Sequence, residues 1–455
     1  MEIGKKVGGD EAAVVEKITG VPVPLKRGLL GLSPVVLFLL LYVVVSLCVG
    51  DFYKMPFSVA LLVASAWGVA LCGGTLAKRV EIYSKAAAHS NIIYMIWIFI
   101  LAGSFAALAR DIGAVDATVS LALRILPASM VVPGLFVAAC FISLAVGTSV
   151  GTVVALTPLA VEMAGVADGN VGYMIAVVLG GAFFGDNLSF ISDTTVAATR
   201  SQGCRMDEKF RANIRIALPA ALVTLALYIF QSGSIERLPD AETSTDYILV
   251  LPYLIVIVTA LLRVNVTLVL MLGLLSAFVI GLCNGAGPLD LCGYAGAGIE
   301  SMGSLIVITL MSAGMLGLVR KLGGIAWLLQ ALSSRVKGKK GAQACVAFLV
   351  GAVNLCTANN TVAIITVGSL SREISSRFGI VPRRSASILD TSSCIVQCLI
   401  PYGAQTLLAT GLAGVSPTAP FPYLYYPWAL AVAVAAAIVI GGAKRGDETA
   451  RTPKL

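Results

Sequence analysis

Charged residues are scarce in this sequence of 455 residues, where they make up 12% of the chain and hydrophobic residues make up 58%. Soluble domains carry about a quarter charged residues. The one histidine, His89, excludes a histidine-based metal centre, and the 10 cysteines form no paired CxxC motifs of the kind that hold zinc. These shortages predict an all-α polytopic membrane protein that is not an enzyme and has no bound cofactor.

The positive charge of the chain does not indicate binding to nucleic acid. The formal net charge is +8, but the basic residues lie in short connections between apolar runs, where they set membrane orientation. Several runs hold roughly 20 residues, which is enough to cross a hydrocarbon layer about 30 Å thick. We therefore expect a multi-pass protein of the cell membrane that is surrounded by lipid and binds no nucleic acid.

A charged connection near the middle of the chain separates two halves that follow one plan. The predicted organisation is a cytoplasmic N-terminal tail, a first transmembrane repeat, an extracytoplasmic linker, a second transmembrane repeat and a cytoplasmic C-terminal tail. Their boundaries, in that order, are 1–28, 29–231, 232–246, 247–442 and 443–455.

Each half is expected to cross the membrane five times and to add one re-entrant hairpin. The first hairpin is predicted from Val131 to Ala164, because a single helix over this whole run would overshoot the bilayer and polar residues 147–152 lie at its centre. The second is predicted over 342–370. With these hairpins most basic connections fall inside, so the second half is expected to be inverted. Loops are predicted at 78–85, 200–215 and 284–300.

Matching polar residues also predict a duplication. Threonines and aspartates carry the match, because apolar residues match easily by chance. The matched pairs include Ala102 with Ala313, Thr148 with Thr357, and Asp186 with Asp390, and their separations along the chain differ only slightly. The sequence therefore places Asp390 at the position equivalent to Asp186.

Residues 185–195 form the most polar stretch inside an apolar run, 171–198. Such groups are costly in lipid unless they face a partner, a cavity or an ion. A glycine weakens a helix, so Gly185 beside Asp186 predicts that an interrupted helix breaks there and holds a cation. The second interrupted helix is predicted over 385–408, with its polar residues 390–393 at the break.

Two cation or substrate sites are predicted from oxygen-bearing side chains at the hairpin tips and breaks, because small hard cations prefer oxygen ligands. For any single hydroxyl or amide, capping of a helix end is the alternative role. The first site consists of Thr148, Ser149, Thr152, Asp186, Asn187, Ser189 and Asp193, and its sodium ligands are expected to be Thr152, Asp186, Asn187 and Ser189. The second site consists of Asn354, Asn359, Asn360, Thr361, Asp390, Thr391 and Ser393.

A buried aspartate can hold either a proton or a metal ion. That competition produces cation/proton antiport when the loaded protein alternates its access between the two sides of the membrane. A carrier of a small organic solute coupled to Na⁺ or H⁺ is the alternative. No lysine or arginine is predicted within a span, which disfavours a dicarboxylate. A channel or receptor is disfavoured by the two interrupted halves, and a primary pump by the lack of a nucleotide-binding domain.

The polar stretch also resembles a known signature. Residues 185–200 read GDNLSFISDTTVAATR, which is similar to the signature of NhaC-type sodium/proton antiporters, within the wider ion transporter superfamily. Family members usually have proline at the position of Phe190. The resemblance implies an inverted-repeat fold, with Na⁺ and H⁺ as transported ions, and hairpin tips and broken helices as binding sites. It also implies the organic-acid or amino-acid alternative. A homodimer is left open.

Overall fold

The computed structural model of the protein describes residues 23–49, 56–125, 127–164, 170–190, 192–232, 247–262, 264–333 and 336–441. All regular secondary structure in these ranges is helical. Of the predicted units, most of the N-terminal tail, nearly all of the linker and the C-terminal tail lie outside the described residues.

Ten α-helices of the described chain precede the linker. Their bounds are α1 Leu25–Val49, α2 Phe57–Leu71, α3 Leu76–Ala87, α4 Ser90–Asp111, α5 Ala114–Ile125, α6 Val131–Val146, α7 Ser149–Met163, α8 Val171–Leu188, α9 Asp193–Gln202 and α10 Met206–Ser232.

Ten more α-helices follow the linker in the described ranges. Their bounds are α11 Leu251–Leu261, α12 Val266–Cys283, α13 Pro288–Ser301, α14 Gly303–Leu322, α15 Gly324–Ser333, α16 Gly338–Thr357, α17 Asn360–Arg377, α18 Pro382–Leu399, α19 Ala404–Leu412 and α20 Tyr425–Gly441.

The helices have the length and composition of a multi-pass membrane protein. Eight helical stretches of the described chain are long and apolar enough to cross a membrane, and shorter apolar helices accompany them. This confirms the all-α polytopic prediction. Three predicted loops are wrong, since 78–85 lies within α3, most of 200–215 belongs to α9 and α10, and most of 284–300 forms α13. α1 also begins before the predicted end of the N-terminal tail.

Both predicted hairpins consist of two helices joined by the same two-residue turn. Gly147 has φ 77° and ψ 19°, in the left-handed region, and the extended residue Thr148 follows it. At the second tip Ala358 has φ 49° and ψ 25°, and Asn359 is extended. Glycine adopts a left-handed conformation without steric cost, whereas alanine does not. The Ala358 carbonyl accepts a hydrogen bond from Gln397 Nε2 at 3.0 Å, which supports the strained tip.

Several backbone breaks of the two halves are separated by one constant offset along the chain. The bounds of α8 and α18, and the first residues of α9 and α19, all keep the offset that separates Gly147 from Ala358. Thr148 therefore corresponds to Asn359, and Asp186 to Gln397. The predicted equivalences of Thr148 with Thr357 and of Asp186 with Asp390 are wrong, because they followed matching letters instead of matching backbone breaks.

The interruptions of α8 and α18 lie beyond the aspartates. α8 continues through Gly185 and Asp186 to Leu188, and the extended residues Ser189 and Ser192 separate it from α9. In the second half the break lies between Leu399 and Ala404, where proline and glycine end the helix. Asp390 is therefore in the middle of α18, and both predicted break positions are wrong.

Gly185 serves close packing and not a helix break. A Cβ atom at Gly185 would lie 2.3 Å from the Cβ of Ser143 on α6, and one at Gly181 would lie 2.5 Å from the Cβ of Ala139. Ser143 Oγ also donates to the carbonyl of Ala182 at 2.5 Å. This close crossing of α6 and α8 brings Asp186 next to the first hairpin tip.

The two halves are interleaved around the breaks. α9 of the first half packs against α17 of the second, and α19 of the second packs against α7 of the first. Gln202 Nε2 on α9 donates to the Gly368 carbonyl on α17 at 2.9 Å. Gln405 Nε2 on α19 donates to Ser149 Oγ on α7 at 3.0 Å. Each hairpin therefore has a helix of the other half at its side.

The hairpin prediction can be tested by side-specific labelling. Ser129 and Glu162 flank α6 and α7 and are exposed, so Ser129→Cys and Glu162→Cys in a cysteine-free background should react with an impermeant thiol reagent from the same side. Arg205→Cys and Gln231→Cys, which flank the span-length helix α10, serve as the control pair and should react from opposite sides. Labelling of Ser129→Cys and Glu162→Cys from opposite sides would contradict the hairpin.

The α6–α8 crossing predicts a stability effect. Gly181→Val should lower the free energy of unfolding by about 1–3 kcal/mol, because overpacking forces backbone shifts. Gly293→Val is the matched control, since a Cβ at Gly293 meets no atom within 4 Å. The melting temperature of each purified variant in detergent is the measurement, and equal melting temperatures would show that the crossing is not tight.

Candidate functional site

A cavity of about 360 Å³ lies where both hairpin tips and both helix breaks meet. Residues of both halves line it, and so do α4 and the connection before α12. Seven of the predicted site residues line this cavity, namely Thr148, Ser149, Asp186, Asp193, Asn359, Asn360 and Thr361. The structure therefore brings residues from both predicted sites to one place.

Asp186 joins the two hairpin tips within this cavity. The side chain is 5% exposed, and its Oδ2 accepts hydrogen bonds from Ser149 Oγ at 3.1 Å and from Asn360 Nδ2 at 3.4 Å. Ser149 belongs to the first hairpin and Asn360 to the second. One carboxylate oxygen thus contacts the first residue of α7 and the first residue of α17, which places Asp186 at the centre of the site.

Two glutamines beside the second break contribute side-chain amides to the site, and neither was predicted from the sequence. Gln397 Nε2, in the last turn of α18, donates to Gln405 Oε1 at 3.0 Å. Gln405 belongs to the first turn of α19 and donates to Ser149. The signal in the sequence was the pair Pro401 and Gly403, which marks the true break and lies between these two amides.

Asp193 is a second carboxylate at the cavity, but it is not buried. It is the first residue of α9, after Ser192, whose Oγ caps the helix by accepting from the Thr195 amide at 3.3 Å. The carboxylate is exposed and lines the cavity. A negative charge at a helix N-terminus is favoured by the helix dipole, so Asp193 adds an exposed carboxylate to the cavity wall, while Asp186 is buried.

Five predicted site residues do not line the cavity and form hydrogen bonds with nearby backbone groups. These bonds agree with the alternative, structural role of such residues. Thr152 Oγ1 donates to the Thr148 carbonyl at 3.2 Å, Thr391 Oγ1 to the Ser387 carbonyl at 2.7 Å, Ser393 Oγ to the Asp390 carbonyl at 2.9 Å, Asn354 Nδ2 to the Ser393 carbonyl at 2.9 Å, and the Ser189 amide to the Gly185 carbonyl at 2.7 Å.

Asn187 and Asp390 belong to a separate buried cluster. Lys209, in the first turn of α10, is 1% exposed and forms an ion pair with Asp390. Asn213, one turn further along α10, donates to Asn187 Oδ1 at 2.6 Å and to Asp390 Oδ2 at 3.1 Å. The expectation that the membrane region holds no buried lysine is therefore wrong. It failed because Lys209 was assigned to the predicted loop 200–215.

The cavity offers chemistry suited to a small cation. Its lining supplies carboxylates, hydroxyls, side-chain amides and backbone groups freed at the tips and breaks, and no lysine or arginine is among the lining residues that the structure describes. These are hard oxygen ligands. The helices α7, α9, α17 and α19 each begin at the cavity wall, and their N-termini carry partial positive charge. The same space can therefore hold a cation at Asp186 and a negatively charged group at the helix ends.

Sequence comparisons match the chain to one family and to named relatives. Residues 32–232 and 242–443 match the Na⁺/H⁺ antiporter family. The chain is 25% identical to the Na⁺/H⁺ antiporter NhaC of Bacillus subtilis, over 70% of this chain and 77% of that protein. It is 22% identical to the malate-2H⁺/Na⁺-lactate antiporter of the same organism, over 86% of this chain and 90% of that protein.

Among solved structures, the YdaH transporter of Alcanivorax borkumensis is 14% identical to this chain. The match covers 90% of this chain and 98% of that one, with a TM-score of 0.37. The two family matches together span nearly the whole of both halves, so this chain is a multi-pass membrane protein that belongs to the Na⁺/H⁺ antiporter family.

Proposed function

We propose that this transporter exchanges Na⁺ for H⁺ and that Asp186 holds either ion in turn. The observation that carries the proposal is the contact of one Asp186 oxygen with both hairpin tips, through Ser149 and Asn360. A carboxylate buried in a membrane protein is functional by default, because its charge is costly without a partner. A cation or a proton at Asp186 removes that charge, so the two ions compete for one group.

The Na⁺ ligands differ from the set expected from sequence. Asp186 stays, and Ser149, Asn360 and Thr148 join it as oxygen-bearing neighbours at the cavity. Thr152, Asn187 and Ser189 are left out of the proposed ligand set because they do not line the cavity. Binding of Na⁺ would pull both hairpin tips toward one carboxylate, since each tip already contacts it. Loading would thus change the packing of both hairpins together.

The inverted repeat and the orientation are part of the same proposal. The constant offset between the halves, the two identical tip turns and the exchanged packing of α9 and α19 support a two-fold relation between residues 29–231 and 247–442. Basic residues in the connections favour cytoplasmic termini and an extracytoplasmic linker at 232–246. Two oppositely inserted halves with a site at their junction are typical of secondary transporters.

A small organic acid, coupled to the ions, is the second candidate. A volume of about 360 Å³ is far more than a bare ion needs and falls at the lower end of ordinary ligand pockets, at roughly 300–1,000 Å³. Helix N-termini at the wall can bind a carboxylate group, and a relative of this chain is named for malate and lactate exchange.

The first experiment measures ion exchange. Asp186→Asn in proteoliposomes should reduce the Na⁺-driven change of internal pH to that of empty liposomes, because the neutral amide cannot release a proton to the incoming ion. Asp290→Asn is the control, since Asp290 is an exposed carboxylate at the start of α13, and it should keep wild-type flux. Na⁺-driven proton flux of wild-type size in folded Asp186→Asn protein would remove Asp186 from the proposal.

The second experiment separates the two candidate functions. Vesicles loaded with lactate or malate should show no uptake of the labelled acid beyond that of Asp186→Asn vesicles if Na⁺/H⁺ exchange is the whole function. Counterflow of either acid that needs both Na⁺ and Asp186 would establish the organic-acid function instead. Lactate and malate are compared because only malate carries two carboxylates.

A further inference from the structure

The described part of the chain holds three buried charged side chains, and they are close neighbours. They are Asp186, Lys209 and Asp390, with exposed fractions of 5%, 1% and 0%. Lys209 pairs with Asp390, and Asn187, the next residue after Asp186, bonds to Lys209 through its carbonyl. Two carboxylates and one ammonium leave one uncompensated negative charge when all three are ionised.

The surroundings of the Lys209 ammonium consist of oxygen atoms. Nζ contacts the Asp390 carboxylate, the Asn187 carbonyl at 2.7 Å and the Thr195 hydroxyl at 2.6 Å. An ammonium has three hydrogens to donate, so these three acceptors satisfy it. A carboxylate, a carbonyl at a helix end and a hydroxyl are also the ligand types that a transporter offers to a monovalent metal ion at a broken helix.

These ligands lie at a helix break and between the two halves, which is where secondary transporters bind ions. Asn187 is in the last turn of α8, Thr195 is in the first turn of α9, and Asp390 is on α18 of the other half. The ammonium thus bridges the two sides of the α8 break and joins the two halves. Two further oxygens of the cluster, Asp390 Oδ1 and Asn213 Oδ1, are buried without a hydrogen-bond partner and would be available to a metal ion in place of the ammonium.

We propose that Lys209 is a covalently attached cation that permanently fills a second cation site at Asp390, so that the buried centre exchanges one monovalent cation at a time. This inference rests on the proposed Na⁺ site at Asp186. It gives Asp390 a different role from the exchangeable site predicted from sequence, because the ammonium neutralises the carboxylate and cannot leave. Lys209 therefore sets the number of ions that the buried centre binds.

Removal of the charge at Lys209 tests the proposal directly. Lys209→Met keeps much of the side-chain length and leaves two uncompensated carboxylates, so the protein should bind two Na⁺ per chain where the wild type binds one. Its melting temperature should also rise more steeply with Na⁺ concentration than that of the wild type, because the second ion stabilises the folded state. Equilibrium binding of radioactive sodium and thermal melts in NaCl, with choline chloride to hold ionic strength, give both quantities.

Two further variants define the result. Lys209→Met/Asp390→Asn removes both charges of the pair and should return to one bound Na⁺ per chain. Lys78→Met removes an exposed lysine of α3 and should bind one Na⁺ with the wild-type melting behaviour. A merely structural ion pair would lower the melting temperature of Lys209→Met without changing the number of bound ions.

Several outcomes overturn the inference. If Lys209→Met binds only one Na⁺, the inference is overturned, but the proposed site at Asp186 is not. If the double variant binds two Na⁺, the inference is also overturned, because Asp390 would then not be the ligand. A Lys209→Met protein that does not fold at any NaCl concentration also counts against it, since Na⁺ then fails to replace the ammonium. Absence of Na⁺ binding to the wild type would overturn the proposed function together with the inference.

Discussion

The arrangement of this protein depends on the need to satisfy polar groups where water is excluded. Two hairpin tips and two helix breaks interrupt backbone hydrogen bonding at one place, and each interruption frees groups that are costly to leave alone in lipid. In the structure, these freed polar groups form hydrogen bonds with side chains from the other interruptions. Asp186 accepts from both tips, Gln405 reaches across to Ser149, and Gln397 supports the strained turn at Ala358. The cavity is therefore the region where the four interruptions meet, and its oxygen-rich lining follows from how the helices are broken.

The same logic governs the charges. A lone buried carboxylate is expensive, and a buried ion pair is tolerated only when its remaining hydrogen bonds are complete. Lys209 has a full set of acceptors, and Asp390 is held by that lysine and by Asn213. Asp186 has only neutral donors. The difference leaves Asp186 as the carboxylate whose charge needs an ion from outside, whereas Asp390 has its counter-charge within the chain.

Much of the architecture could be predicted from the sequence, but the pairing of its polar residues could not. Length and hydropathy predicted a helical membrane protein, and the excess length of 131–164 predicted two helices joined by a polar tip. The position of Asp186 beside the first hairpin also followed from the polar stretch at 185–195. The register between the halves was misjudged, because Asp390 is the same residue type as Asp186, whereas the bounds of α8 and α18 place Gln397 at the position of Asp186. Lys209 was missed because a lysine near the end of an apolar run is ordinarily solvated, and only the folded chain shows that the first turn of α10 lies under the α8 break.

The exchange of α9 and α19 between the halves has a consequence for how such a protein could have arisen. The hairpin of each half packs against the broken helix of the same half and against one helix of the other half. A chain of half this length would therefore leave one side of its hairpin uncovered. If the two halves descend from one shorter gene, that ancestor needed a second copy of itself to cover that side of its hairpin. The two copies would have faced opposite ways in the membrane, and fusion of the genes would have fixed one partner in each orientation.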